Sequence, residues 1–331
     1  MGTHSNLSIF VPHAGCPQSC SFCNQHTITG GAAQPAPEDV RRTAAEGAGF
    51  LKENCRTAQL AFFGGSFTAI DRGYMCSLLE AAREAVRRYG FDGIRISTRP
   101  DAVDAQVLAV LKEYGVRAVE LGAQSMCDEV LAANRRGHTS ADVENASRLI
   151  REAGLELGLQ MMTGLYRDTD SRALETARRL IALKPETVRI YPTVVLRGTE
   201  LAKLLEAGVY RPQTLEEAVA LCAELVPLFE EAGVRVIRLG LHAEPDVERN
   251  RLAGAYHPAL RELVQSRIFL DRLLPALAAS GADTVRVNPR FLSAALGQRK
   301  ANLAVLAERG FSVRIVPDEG VPRGTFRLGR P

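Results

Sequence analysis

The sequence predicts an α/β protein: a partial (β/α)6 barrel of the TIM type followed by a small C-terminal α+β module. Three observations carry the prediction. Six short runs rich in Val, Ile, Leu and Phe alternate with stretches of helical apolar spacing, the pattern of repeated strand-helix units and a parallel sheet. Each run leads into a segment rich in Gly, Cys or polar residues, and in parallel barrels the loops after the strands build the site. Beyond Leu241 the alternation fades and a basic segment closes the chain. With 331 residues, 46% hydrophobic and 24% charged, the chain can fill one core of roughly 200 to 250 residues and a smaller addition. That composition excludes disorder and collagen-like repeats.

The six strands are expected at residues 7–11, 59–63, 94–98, 118–122, 155–161 and 187–191, with a seventh at 234–239. Helical patterns fill residues 37–54, 73–89, 103–114, 140–153, 171–183 and 215–232. The barrel is assigned to residues 1–240 and a helical connection to 241–280, including a helix over 259–277. A basic module occupies 281–331, with strands at 284–287, 311–316 and 325–328 and one helix over 291–308 ended by Gly310.

Lys plus Arg number 41 and Asp plus Glu 38, a net of +3, too little to demand a nucleic-acid partner. The distribution is uneven: residues 282–331 hold nine basic and four acidic side chains. No apolar run reaches the roughly 18 to 20 residues needed to span a bilayer. The opening residues lack a basic stretch followed by an apolar one, so a cytoplasmic protein is expected, with no membrane partner.

Seven cysteines, an odd number, argue against a disulfide framework. Cys16, Cys20 and Cys23 fall in the loop PHAGCPQSCSFCNQ after the first strand, whereas Cys55, Cys76 and Cys222 sit in or beside helical patterns and read as small core residues. Cys127 lies just past the fourth strand as a candidate thiol. Three thiolates in one short loop can wrap a 4Fe-4S cluster and leave one iron open to an outside ligand. The same spacing with His13 or His26 also admits a structural Cys3His zinc.

The C-x-x-x-C-x-x-C loop, with Phe22 before its last Cys, resembles that of the radical S-adenosylmethionine superfamily. GGSFT after the second strand is similar to the family's Gly-rich segment, in which Gly64, Gly65 and Ser66 admit the methionine end of the cofactor. ELGAQSMCDEVLAANRRGHT and RIYPTVVLRGTEL look like the radical domain of the Elongator catalytic subunit over residues 7–240. The resemblance implies a 4Fe-4S cluster on Cys16, Cys20 and Cys23, S-adenosylmethionine as cofactor, an electron donor, and cleavage to a 5'-deoxyadenosyl radical that removes hydrogen from a substrate. It implies that Gln124 and Arg136 contact the cofactor's ribose or carboxylate and that Tyr191 with Pro192 borders its adenine. Ser97 and Gln160 stand where related enzymes place a carboxylate contact. The Elongator subunit continues into an acetyltransferase domain, and with the chain ending at Pro331 acetyl transfer is not expected here.

By the same resemblance tRNA is the expected substrate, with a tetrapyrrole-like small molecule or a non-cleaving cluster-delivery role as alternatives. The C-terminal module resembles a KH-type RNA-binding unit. Gly297-Gln298-Arg299-Lys300 stands where a G-x-x-G turn would clamp phosphates, and Arg299 and Lys300 supply positive charge. His138 is open to a structural or a catalytic role, and Tyr166, Arg167, His242, Tyr256 and His257 are candidates for lining the barrel's open end.

Overall fold

The computed structural model describes residues 5–12, 16, 20–23, 33–242 and 245–329. His13 and His26, the expected fourth ligands of a zinc site, lie outside the described residues.

Seven strands form one parallel sheet: β1 (Ser5–Val11), β2 (Ala58–Gly64), β3 (Gly93–Thr98), β4 (Val116–Gln124), β5 (Glu156–Thr163), β6 (Thr187–Pro192) and β8 (Arg235–Leu239). They pair in chain order, β8 beside β6, so the sheet curls as an open barrel whose edges are β1 and β8. The crossovers carry α1 (Pro37–Leu51), α2 (Arg72–Tyr89), α3 (Ala105–Glu113), α4 (Asp128–Ala133), α5 (Ser140–Glu152), α6 (Asp170–Ala182), α7 (Glu200–Glu206) and α8 (Leu215–Glu231). The helix starts are specified locally: Asp71, Asp104, Thr139, Thr169, Thr199 and Thr214 each accept a backbone N–H in the first turn. None of the helices is long and apolar enough to cross a membrane, among the described residues.

Alternation along each strand sorts the core. Leu60, Phe62, Ile94, Ile96, Val119, Leu121, Leu157, Leu159, Val188 and Ile190 are buried in one apolar cluster under the helices. The alternate positions include Gln59, Arg95, Ser97, Glu120, Gln160, Arg189 and Arg238, so the inner face of the barrel is polar.

Beyond the short helices α4 and α7, which the sequence pattern does not announce, two regions differ from the sequence expectation. Val194–Leu196 (β7) pairs antiparallel with Arg251–Gly254 (β9), which follows a short helix, α9 (Pro245–Asn250). The sequence reads these stretches as loop and fading pattern, because strands of three and four residues carry no periodicity of their own. The helix expected over 291–308 is two, α11 (Leu292–Leu296) and α12 (Ala301–Glu308). Gly297 turns away at φ 76° and ψ 160°, and Arg299 and Lys300 follow at φ 53° and 62°. Asn302 fixes the break, its amide donating to the Ser266 and Ala295 carbonyls at 3.3 and 3.0 Å.

Around that turn, β10 (Thr284–Val287) lies parallel to β11 (Arg314–Pro317) and antiparallel to β12 (Phe326–Gly329). The helix α10 (Leu260–Ser280) serves both cores. Its Leu260 and Val264 sit in the barrel cluster, while Phe269, Leu270, Leu273 and Leu277 pack with Val285, Val287 and Phe291 of the small module.

Candidate cofactor site

The cysteine loop ends in a turn, Cys23 N–H donating to the Cys20 carbonyl at 3.0 Å, that is fixed from two sides. Ser21 donates its N–H to the Asn134 carbonyl at 3.1 Å and its hydroxyl to the Asn134 side chain at 2.6 Å. Its own carbonyl accepts the Leu201 N–H at 2.8 Å. Phe22 packs with Val195, Leu201 and Tyr210, so the ribbon β7–β9 that the sequence left unread supports this loop.

Arg136 joins the loop to the barrel. It is buried, its guanidinium donating to Cys20 Sγ at 3.0 Å and to the Gly122 carbonyl at 2.6 Å, with its carbon centre 5.8 Å from the Phe22 ring centroid. Gln124 ends β4 at φ 64°, beside a register shift between Leu121 and Gln124 that re-aims its side chain. His138 reaches the Ala123 carbonyl through Nε2 at 3.2 Å. Burial, and then the Arg136 charge, holds the imidazole down to a pKa of about 4. Cys16, Cys20, Phe22, Gln124 and Arg136 are thus one neighbourhood, with His138 against Arg136.

On the other side, Gly64 has φ 124°, and a Cβ there would lie 2.5 Å from the Val11 carbonyl oxygen, so only Gly fits. The next residue uses that approach, Gly65 N–H donating to Val11 O at 3.0 Å. Ser66 is fully buried and meets the Thr98 hydroxyl at 2.8 Å while accepting the Arg99 N–H at 3.2 Å. Arg99 pairs with Asp101 at 2.6 Å, and its charge, like that of Arg136, bears on Cys16.

Burial, and then the Cys20 charge, pushes Cys16 up, opposed by Arg99 and Arg136. Burial, then Cys20 and Cys16, takes Cys23 to about 12. Three thiolates this close, one buried and two half-buried, would repel one another, and a cationic iron-sulfur core would relieve that repulsion. Around them Gln124 Oε1, one Arg99 terminal nitrogen, Arg136 Nε and His138 Nδ1 are buried without a partner among the described residues. Buried polar atoms are normally satisfied. Donors and an acceptor left open beside the thiols fit a zwitterionic ligand with a carboxylate and an ammonium. Among the described residues no three His, Cys, Asp or Glu side chains converge at the spacing of a single metal ion.

The remaining predicted contacts fall in a third cluster that the sequence did not reveal as one. Gln160 donates to Ser97 Oγ at 3.3 Å and to Glu120 Oε2 at 3.0 Å. Glu120, itself buried, takes Arg189 at 2.7 and 2.9 Å and Arg95 at 3.2 Å. Tyr191 shares a hydrogen bond with Arg189. Gly158 leaves the room: a Cβ there would lie 2.7 Å from Glu120 Cγ. The missed signal was a charged residue in the middle of three strands, I-R-I, V-E-L and V-R-I, where a buried strand should be apolar.

The cysteines outside the loop stand apart, whereas Tyr166 adjoins it, its carbonyl accepting the Asn134 side-chain N–H at 2.9 Å and its ring packing in the cluster that takes Phe22. Cys55 and Cys222 are buried in the barrel core and Cys76 packs against it. Cys127 lies beside Arg172, Glu175 and Arg179 in a separate crevice. Tyr166 stacks edge-on against Tyr210 at 6.1 Å, and Arg167 pairs with Glu129 at 3.6 Å. Tyr256 meets Arg251, and His257 accepts the Ala259 N–H through Nδ1 at 3.1 Å. His242 alone faces the barrel's arginines, Arg238 and Arg189. Arg299 and Lys300 are exposed on the C-terminal module.

An open parallel barrel with a three-cysteine loop and unsatisfied polar groups at its strand ends defines an enzyme of the cofactor-binding α/β-barrel class. The chain belongs to the radical SAM superfamily, whose family model matches residues 10–180, and the Radical_SAM C-terminal domain model matches residues 185–269. Elongator complex protein 3 of Homo sapiens is 32% identical over 183 residues, 53% of this chain and 32% of that protein. A tRNA uridine(34) acetyltransferase of Dehalococcoides mccartyi is 25% identical over 298 residues, 79% of this chain and 64% of that one. The human protein and a Methanocaldococcus jannaschii tRNA uridine(34) acetyltransferase are each matched over about a third of their length. The fold is shared with the archaeal Methanocaldococcus infernus Elp3, at a TM-score of 0.64 and 20% identity, over 82% of this chain and 64% of that one.

Proposed function

We propose that the chain is a radical S-adenosylmethionine enzyme that carries a 4Fe-4S cluster on Cys16, Cys20 and Cys23 and modifies tRNA. One observation carries the first part: a three-cysteine loop, its central thiol held by a buried arginine, ringed by buried polar atoms without partners. When bound, the reduced cluster supplies the electron that splits S-adenosylmethionine into methionine and a 5'-deoxyadenosyl radical able to remove hydrogen from the substrate.

The chain's own residues bind, orient and exclude water. Arg136 and Arg99 offer N–H groups to the cofactor carboxylate, Gln124 Oε1 accepts from its ammonium, and Gly64, Gly65 and Ser66 let the methionine end approach the backbone. Tyr191 borders the adenine. The polar inner wall from Ser97 to Arg189 holds its groups in fixed bonds and gives the radical a walled space to act in.

The tRNA assignment draws on the relatives named as tRNA uridine(34) acetyltransferases and on the turn Gly297–Lys300. There two consecutive non-glycine residues hold left-handed φ between two helices and point positive charge outward, a strained feature of the kind that clusters at binding sites.

The test is anaerobic: the full chain is reconstituted with iron and sulfide, reduced, given S-adenosylmethionine, and assayed for 5'-deoxyadenosine with and without bulk tRNA. Release that depends on Cys20, checked with Cys20→Ala, and that tRNA stimulates is the expected result. Arg299→Glu with Lys300→Glu should lower tRNA affinity roughly tenfold or more and flatten its salt dependence. Zinc retained in place of iron, or a cluster that never cleaves the cofactor, would refute the proposal.

A further inference from the structure

The inner faces of β6 and β8 place Arg189 and Arg238 at paired positions on the last two strands of the sheet. Their charges are met differently. Arg189 lies on Glu120 at 2.7 Å, with its guanidinium carbon 4.7 Å from the Phe63 ring centroid. Arg238 is half-buried, donates through Nε to the Gly240 carbonyl at 2.8 Å, and forms no ion pair among the described residues.

The surroundings are cationic as well. Burial pulls the Arg238 pKa down, opposed by Tyr191 and helped by Arg189 and Arg261, and among the described residues no carboxylate acts on it. His242 is exposed at the surface, and its pKa is lowered by partial burial and then by Arg238 and Arg189. The nearby carboxylate, Glu120, is already shared by Arg95, Arg189 and Gln160. A guanidinium partly withdrawn from water beside two others, with no counter-ion of its own among the described residues, carries a standing cost. An incoming anion offsets it, and the planar fork of arginine suits a phosphate or a carboxylate. Because β8 is an edge strand of the open barrel, Arg238 stands beside the gap and next to Tyr191, the residue proposed to border the cofactor.

We infer that Arg238, with His242 beside it, binds an anionic group of the substrate, a phosphate or a carboxylate, at the open edge of the barrel. The inference rests on the enzyme reading above and deepens it. A substrate so held has its charged end at the edge strand and its reacting carbon turned toward the cofactor.

Equilibrium dialysis of the reconstituted full chain, with and without saturating S-adenosylhomocysteine, tests it with uridine 5'-monophosphate, inorganic phosphate and succinate. Wild type should bind at least one of the three, with affinity lowered roughly tenfold or more by Arg238→Gln and less by Arg238→Lys. Preference for the phosphates names a nucleotide phosphate as the ligand; preference for succinate names a carboxylate. Binding of none of the three by wild type, or equal binding by the Gln variant, overturns the site. Loss of S-adenosylhomocysteine affinity in both variants also overturns it, since Arg238 would then hold the cofactor. Anion binding through Arg238 by a chain that takes up neither cluster nor cofactor would refute the enzyme reading and keep the site.

Discussion

Replacing Glu120 with Gln takes one negative charge from between two guanidiniums that have almost no access to water. Arg95 is 0% exposed and Arg189 7%, and both bond the same carboxylate. Arg95 keeps Glu156 at 3.1 Å, a partner 40% exposed and therefore weak, together with the Gln59 amide oxygen. Arg189 keeps Tyr191 and the Phe63 face, neither of them an anion. Removing one partner of a buried pair costs about 3 to 5 kcal/mol, because the other charge stays buried without compensation. At about 2 to 4 °C per kcal/mol for a large domain, Glu120→Gln should melt roughly 6 to 20 °C below wild type. Circular dichroism melts measure it, with Glu120→Gln/Arg189→Met as the control: removing both charges should recover part of the loss. A single variant within about 1 kcal/mol of wild type, or a double variant no more stable than the single, would refute the account of the inner wall as a charge-locked network.

Gly64→Ala forces a Cβ to 2.5 Å from Val11 O and should cost about 1 to 3 kcal/mol, along with S-adenosylhomocysteine affinity; an Ala variant that melts and binds like wild type would contradict the close approach. His138 in the fold has a pKa near 4, below the 6.5 of a free imidazole, so the unfolded chain takes up its proton first as pH falls. Stability should therefore be complete above about pH 6.5 and fall by roughly 2 to 3 kcal/mol toward pH 4, a slope that urea titrations should find flattened in His138→Asn. Asp168 behaves oppositely: burial raises it from 3.8 to about 6, so its contribution is present at low pH and lost as pH rises through 6. Asp168→Asn should stabilise the fold by roughly 1 to 2 kcal/mol at about pH 7 and not at about pH 4; equal melting shifts at both pH values would contradict the burial argument.

The strands were legible because their alternation is local: Phe62, Ile96, Leu121, Leu159 and Ile190 announce the helix-facing side of the sheet. The ribbon of Val194–Leu196 with Arg251–Gly254 was not, since its pairing joins segments more than 50 residues apart that are each too short to show a period. The break at Gly297 was hidden because apolar spacing continues across it, and the decision lies in the bonds of Asn302 to Ser266 and Ala295. At the site, the spacing of Cys16, Cys20 and Cys23 and the resemblance around Gln124 and Arg136 picked out residues that the fold gathers. The Glu120 network escaped because its members come from β3, β4, β5 and β6, and no sequence window contains more than one strand of it.

A helix that belongs to two cores decides what can be inherited as a block. Leu260–Ser280 is about 30 Å of rigid rod whose first turns are barrel and whose later turns are half the hydrophobic floor of the C-terminal module. A recombination joint at residue 281 would strand Phe269, Leu270, Leu273 and Leu277 on one product and leave Val285, Val287 and Phe291 bare on the other. The portable cassette therefore begins near Leu260, and a donor scaffold must supply a helix seat of the kind α8 provides here. For the same reason the turn at Gly297 keeps a fixed bearing on the barrel and a set distance from the strand ends.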